Sequence, residues 1–480
     1  DTSPEGIASP LFGDHTDAGD PIAAFDRTGR LFVGGIAFNR AGPINGDVYV
    51  ATYGAQDQPN GYPVDYLRTR IVGRGTPSRN FQGIFQDKPM LEVDRTGGRF
   101  DGNVYVCWSR FTAFGQNRIL FSRSTDHGRT FSRPISLTTP AGGSVQGCDI
   151  AIEADGDVYV TYRTFDDASV GNGDGLAFSR SANGGSTFSK SRFIRSITPY
   201  APNDGTRNCG DGPFECPTGF VFHRVPLEPR STADQSGGLR GVVLTYNAIR
   251  PRSVRPSTTS YSSAGSGRVG QSLVYVIRSL DNGRSWSRPK PVDPNARGHQ
   301  FFPDVDALDG RVAVVWQDSR TDQAYSVQRP IGNTAAARSP SGRNEVNTFV
   351  ATSENSRTFS STRVSSVGHQ SEYEMFGNRD VPFHGDYNWI SFATASDGSL
   401  FGYMTWTDNR NVVGGTDPRE ETQDGFDVLQ CREDLGAPSP AGLLSSEIPL
   451  ARRDAPFGGD TCGNGGGLDQ DIYGNTIVLR

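Results

Sequence analysis

An aromatic residue followed within four positions by an arginine recurs along the chain. The pairs are Phe38 with Arg40, Trp108 with Arg110, Tyr162 with Arg163, Tyr246 with Arg250, Trp316 with Arg320 and Trp406 with Arg410. A guanidinium fork holds a carboxylate bidentately, and a flat aromatic face suits a sugar ring. Aspartates recur as well, each opening an apolar run: Asp20, Asp87, Asp149, Asp304 and Asp386. One grouping is less repetitive. His384, Asp386 and Tyr387 fall within four residues and combine an acid–base imidazole, a carboxylate and a phenol.

Two readings follow from these residues. In the first, Tyr387, Asp386 and His384 are catalytic, while Arg320, Arg410, Arg163, Arg110, Trp316 and Trp406 hold an acidic sugar. In the second, a feature repeated along the chain serves each repeat's own stability. Arginines then pair with nearby aspartates such as Asp318 and Asp408, inside Trp316-Gln317-Asp318-Ser319-Arg320 and Trp406-Thr407-Asp408-Asn409-Arg410.

The elements that must position these groups are short strands. Gly-Asp/Asn-Val-Tyr-Val occurs at 46–50, 102–106 and 156–160, a tight turn feeding a β-branched run. A longer phrase runs from Ser124 to Phe131, and again from Ser181 to Phe188 and from Ser279 to Trp286. A degraded copy runs from Thr352 to Phe359. In these phrases a carboxylate or amide side chain accepts hydrogen bonds from loop backbone N–H groups, glycine supplies positive φ in the three full copies, and the final aromatic packs between sheets. The acceptor positions are read as Asp126, Asn183, Asp281 and Glu354.

These phrases resemble the Asp-box (BNR repeat) of the sialidase-like β-propellers of secreted bacterial proteins. The resemblance implies an all-β fold: one six-bladed propeller of four-stranded antiparallel blades over residues 1–480. Blades start near 20, 87, 149, 219, 304 and 386, and a loop insertion at about 199–268 decorates the fourth. It also implies a glycan-directed protein, with exo-sialidase as the family's named activity, a tyrosine nucleophile assisted by a glutamate, an aspartic acid and three arginines. Tyr387 is the candidate nucleophile, although no glutamate is near it in sequence. The Phe/Tyr-Arg-Ile-Pro motif expected in the first blade is replaced here by Gly19-Asp20-Pro21-Ile22. The function expected is therefore a sialidase-like propeller directed at acidic glycans, as an exo-glycosidase or a lyase. The alternative is an extracellular structural or surface-assembly protein without chemistry, in which self-association is an option.

Composition narrows the field. Lys plus Arg number 47 against 53 Asp plus Glu, a net charge of −6, which provides no general attraction for nucleic acid. Mean hydropathy is −0.49, and no stretch approaches the roughly 20 apolar residues of a membrane helix. The six cysteines lack C-x-x-C spacing and read as three disulfides, with Cys107–Cys148, Cys209–Cys216 and Cys431–Cys462 chosen by proximity. Together with the Asp1 start and the excess of arginine over lysine, they suggest a secreted, extracellular bacterial protein. No zinc spacing or twelve-residue calcium loop is found. No cofactor is expected, although distant loops could assemble a structural calcium site.

Overall fold

The computed structural model describes residues 9–11, 15, 17–39, 45–55, 64–76, 83–112, 117–139, 144–165, 173–204, 225, 227–323, 325–331, 345–370, 385–408, 410 and 471–479. Over these residues the chain is nearly all β, its one helical turn being a 3-10 segment at Pro251–Ser253. No helix among them is long and apolar enough to cross a membrane.

Six antiparallel meanders follow one another. The first comprises β1 (Asp17–Phe25), β2 (Leu31–Phe38), β3 (Gly46–Ala55) and β4 (Val64–Gly73). The second comprises β5 (Ile84–Val93), β6 (Val104–Thr112), β7 (Arg118–Ser124) and β8 (Ile135–Ser136). A single parallel pairing, Gly46 with Phe85, joins these two. The third is β9 (Val145–Ile152), β10 (Val158–Thr164), β11 (Gly175–Ser181) and β12 (Arg192–Ser196). After β13 (Asn203–Asp204), the fourth begins with β14 (Arg230–Ala233) and β15 (Val242–Ile249). Small ribbons of β16 (Arg255–Pro256), β17 (Tyr261–Ser262) and β18 (Arg268–Val269) intervene before β19 (Ser272–Ser279) and β20 (Lys290–Pro291) complete it. The fifth contains β21 (Gln300–Leu308), β22 (Arg311–Asp318), β23 (Glu345–Ser353) and β24 (Ser360–Arg363), with β25 (His369–Gln370) paired to β23. The last has β26 (Trp389–Thr394), β27 (Leu400–Asp408) and β28 (Asp471–Leu479).

The first strands pack in chain order, β1 on β5, β5 on β9, β9 on β14, β14 on β21 and β21 on β26. Alternation explains the middle strands: β6, β10, β15 and β22 are buried on both faces, so they read as nearly continuous Val, Tyr and Trp runs. Trp108, Tyr162, Tyr246, Trp316 and Trp406 are all buried core residues. The Cys107–Cys148 disulfide ties β6 to β9. Cys209, Cys216, Cys431 and Cys462 lie outside the described residues.

Two expectations concern the fourth meander. Among the described residues its first strand is β14, from Arg230, while the start expected near 219 lies outside them. The stretch 199–268 is therefore not one insertion, since it holds β14 and β15 of the fourth sheet.

The Ser-x-Asp/Asn turns share one set of bonds. Asp126 accepts from the Thr130 amide at 2.9 Å and Asp281 from the Ser285 amide at 2.9 Å, while Asn183 takes the Thr187 amide at 2.9 Å. The closing aromatics reach the preceding sheet: Phe188 lies edge-on to Phe121 at 4.7 Å and Trp286 to Phe178 at 5.6 Å. In the degraded copy the acceptor is Asn355, bonded to the Arg357 and Thr358 amides, and not Glu354. Glu354 instead pairs with Arg311 on the surface. The serine, Ser353, fixes the register two residues before Asn355, and reading from Thr352 shifted it by one.

Candidate functional site

The first strands carry a β-bulge near their starts. Register slips between Gly19 and Ile22, between Asp87 and Met90, and between Phe301 and Asp304. The bulge residue takes positive φ without being glycine: Asp20 at 51°, Lys88 at 50° and Phe302 at 51°. A proline follows each, Pro21, Pro89 and Pro303, and has no N–H to continue the ladder. Left-handed backbone at such residues costs roughly 1–2 kcal/mol, so packing must hold it. Two of the three strained residues, Asp20 and Lys88, meet in one cluster.

Lys88 is the hub of that cluster and is 5% exposed. Its Nζ donates to Asp386 Oδ2 at 2.6 Å and lies 3.2 Å from Glu228 Oε1. Its backbone amide donates to Asp20 Oδ2 at 3.2 Å. The ammonium also stands 5.3 Å from the centre of the Tyr387 ring. Arg230, at the start of β14, places its guanidinium 4.8 Å from that ring and 5.2 Å from the Trp389 ring. Tyr387 is thus gripped by two cations. Its hydroxyl is enclosed yet makes no hydrogen bond of good geometry to any described residue.

Burial and charge tune these groups in opposite directions. Burial, together with the neighbouring Asp87 and Asp386 charges, pushes the Asp20 carboxyl up to about 7, against the pull of Lys88 and the Tyr387 hydroxyl. Burial and then the Asp20 charge drive the Tyr387 phenol well above its ordinary value, so it stays neutral. For Lys88, burial disfavours the charge, but the carboxylates of Asp386 and Glu228 more than offset it and hold the ammonium firmly charged. The cluster therefore holds a neutral phenol beside a carboxyl that exchanges its proton near neutrality.

A cavity of about 490 Å³ lies between the first strands, with Glu92, Asp149, Asp304, Asp306, Arg95 and Trp389 on its walls; Asp20, Lys88, Asp386 and Tyr387 are not among the residues that line it. Its carboxylates do structural work. Asp149 accepts from the Ser231 amide at 2.5 Å, Asp304 from Ile390 at 2.8 Å and Asp306 from Phe392 at 2.7 Å. Each thereby satisfies an amide on a neighbouring sheet's first strand. Burial raises Asp304 to about 7, and Asp149 and Asp306 to about 6. The Arg230 charge restrains the rise for Asp304 and Asp149, and the Phe392 amide restrains it for Asp306.

The remaining residues singled out from sequence lie elsewhere. Trp316 Nε1 donates to Asp318 Oδ2 at 3.0 Å, and Arg320 Nη2 reaches the same oxygen at 2.6 Å. Arg320 also pairs with Asp293 at 2.9 Å and lies over the Phe349 ring at 3.8 Å. The last sheet repeats the unit. Trp406 Nε1 binds Asp408 at 2.9 Å, Arg410 binds it at 2.6 Å, and Arg410 covers Tyr473 at 3.8 Å. Neither tryptophan offers a face to a ligand, being 0% and 3% exposed, and both arginines are engaged by carboxylates. The sugar-holding roles expected for these four residues therefore give way to the pairing alternative. Arg163 likewise binds Asp174 at 2.7 Å and lies 4.3 Å over Phe165. Arg110 has a different setting, opposite Arg118 across β6 and β7.

Of the catalytic trio, Asp386 and Tyr387 are in the cluster, and His384 lies outside the described residues. Lys88, Glu228 and Arg230 were missed. The signal for Lys88 was its rarity, because the chain has only Lys88, Lys190 and Lys290. Among the described residues, Glu153, Asp155 and Asp157 bring carboxylate oxygens within 4.8 Å of one another at a hairpin turn. Glu153 already accepts from the Tyr159 hydroxyl, and Asp157 pairs with Arg180, so the group carries no metal assignment.

No protein-family model and no curated protein matches the chain. Solved structures do. An α-L-arabinofuranosidase from Fusarium graminearum is 12% identical, with TM-score 0.41, over 83% of this chain and 90% of its own. An ulvan lyase, described as a polysaccharide lyase, is 12% identical with TM-score 0.42 over 82% of this chain and 80% of its own. A Hadza microbial sialidase is 13% identical with TM-score 0.41 over 82% of this chain and 64% of its own.

Proposed function

We propose that this chain is an extracellular, glycan-directed six-bladed β-propeller whose axial cluster cleaves a glycosidic linkage by acid–base chemistry. The observation that carries the reading is the Tyr387 hydroxyl, enclosed and without a hydrogen bond of good geometry to any described residue, beside Asp20, whose carboxyl is pushed up to about 7. Glycoside cleavage needs a group that donates a proton to the leaving oxygen and later recovers one from water, and a pKa near the working pH serves both steps. Asp20 has that property. As the Tyr387 oxygen bonds to the anomeric carbon and the glycosidic bond breaks, the Asp20 carboxylate on β1, in place of a glutamate near Tyr387 in sequence, takes the phenol proton and passes it to the leaving oxygen. Water then displaces the tyrosine oxygen from the sugar, and its proton returns to Tyr387 through Asp20. Asp386 is the counter-charge of Lys88 in this scheme. Lys88 and Arg230 fix the phenol ring and the local charge.

The second reading, a scaffold without chemistry, is favoured by one feature. Asp149, Asp304 and Asp306 are each spent on a neighbouring sheet's backbone amide. Assaying the protein on a panel of aryl glycosides and polysaccharides, with Asp20→Asn alongside, separates the two. The catalytic reading expects at least one substrate to be cleaved, with a loss of two orders of magnitude or more in Asp20→Asn. A wild-type protein that cleaves nothing, or an Asp20→Asn variant with full activity, leaves the scaffold.

A further inference from the structure

Each described arginine at a second-strand end that the sequence singled out has an oxygen partner, with one exception. Arg163, Arg320 and Arg410 have carboxylates, and Arg250 Nη1 reaches the Pro294 carbonyl at 3.4 Å. Arg110 instead stands directly opposite Arg118 in the antiparallel β6–β7 register. Directly opposed side chains on such a ladder have Cβ atoms about 4.5–5.5 Å apart, and like charges placed so repel. Both residues are half-buried, and the Nε of each is enclosed without a hydrogen-bond partner. Burial and the Arg118 charge both lower the Arg110 pKa. The flanking ladder partner does not relieve the charge. Gln86, opposite Arg110 on β5, spends its amide on the Arg74 carbonyl at 2.8 Å and on Trp108 Nε1 at 2.6 Å.

We propose that Arg110 and Arg118 form an oxyanion subsite that binds a carboxylate or sulfate group of a glycan chain. An oxyanion between two guanidinium groups converts their repulsion into two charge-assisted bonds and satisfies donors that no described residue meets. The location suits an extended ligand. Gln86 pairs with Arg110 and precedes Lys88 by two residues, so the subsite sits one strand out from the axial cluster at the same end of the second sheet. The inference rests on the glycan reading and adds that the glycan is anionic.

The test is isothermal titration of the wild type, Arg110→Gln and Arg118→Gln with four probes. These are a glucuronate-containing tetrasaccharide, its carboxyl-reduced form, a sulfated tetrasaccharide and inorganic sulfate. At least one anionic oligosaccharide is expected to bind the wild type tenfold or more tighter than either variant, and which one identifies the anion. The carboxyl-reduced form is expected to bind all three proteins alike. Without ligand, Arg110→Gln is expected to raise Tm at low salt by about 1 °C, because it removes a like-charge contact. A purely structural arginine would lower it. Equal affinities in all three proteins, or a wild type that binds neither anionic oligosaccharide, overturn the subsite. Intact anion binding together with absent glycan cleavage would instead remove only the axial chemistry.

Discussion

The Trp-Asp-Arg units of the fifth and sixth sheets and the Lys88 cluster among the first strands both pair buried carboxylates with cations, yet they are built differently. In each unit one carboxylate, Asp318 or Asp408, serves an indole two residues before it and a guanidinium two residues after it, and the arginine covers an aromatic on the next strand. The arrangement is local and occurs twice. The Lys88 cluster draws on separate sheets, with Lys88 and Asp386 lying 298 positions apart, and occurs once. The local unit leaves Asp318 and Asp408 with partners on both oxygens. The Lys88 cluster leaves a phenol without a hydrogen bond of good geometry to any described residue and a carboxyl pushed up to about 7. Repetition here marks stability, and asymmetry marks the candidate chemistry.

The contrast can be sharpened by removing one partner at each place. Lys88→Met removes the cation that neutralises the buried Asp386 and Glu228 carboxylates and is expected to cost about 3–5 kcal/mol, read from the urea midpoint. A cost below 1 kcal/mol would mean that water reaches the cluster. Asp318→Ala strands the buried Trp316 indole and leaves Arg320 with Asp293 as its remaining carboxylate, so about 1–3 kcal/mol is expected in the same measurement. Glycan affinity should be unchanged in that variant, and a selective loss of binding would return Arg320 to the ligand.

A smaller effect is expected from Asp304→Asn, and it depends on pH. The folded pKa of Asp304, about 7, lies above the ordinary carboxyl value of 3.8, so the folded state binds the extra proton between those limits. Its contribution to stability is therefore fully present below about pH 4 and is lost as pH rises through 7. The amide keeps an acceptor for the Ile390 N–H without the charge. The variant should match the wild type at pH 4 and exceed it at pH 8 by on the order of 1 kcal/mol. A constant offset at both pH values would show that the carboxylate is not the source. The smallest drop in Tm is expected from Asp281→Ala, whose carboxylate is bonded to Ser279 and Ser285 of its own turn.

Much of the strand pattern was legible because it is written locally. Gly-Asp/Asn-Val-Tyr-Val, the Ser-x-Asp turns and the runs around Trp108 and Trp316 each specify strand, turn and burial within ten residues. The second-strand arginines were legible as residues but not as partners, since Asp293, which completes Arg320, comes from the segment before β21. At the axis, Asp386 and Tyr387 stood out, whereas Glu228 and Arg230 did not. No repeated phrase surrounds Glu228 and Arg230, and only the folded chain brings them to Lys88 and Tyr387. The Arg110–Arg118 opposition likewise depends on the β6–β7 register, which spacing alone does not set.

The most direct measurement compares Tyr387→Phe with Arg320→Ala, taking kcat/KM on the best glycan substrate and Tm for each. Tyr387→Phe removes one oxygen that makes no hydrogen bond of good geometry to any described residue, so kcat/KM should fall at least 100-fold with Tm within about a degree of the wild type. Arg320→Ala should keep kcat/KM and lose Tm. The opposite pattern, with Tyr387→Phe fully active and Arg320→Ala stable but inactive, would contradict the assignment of chemistry to the axis.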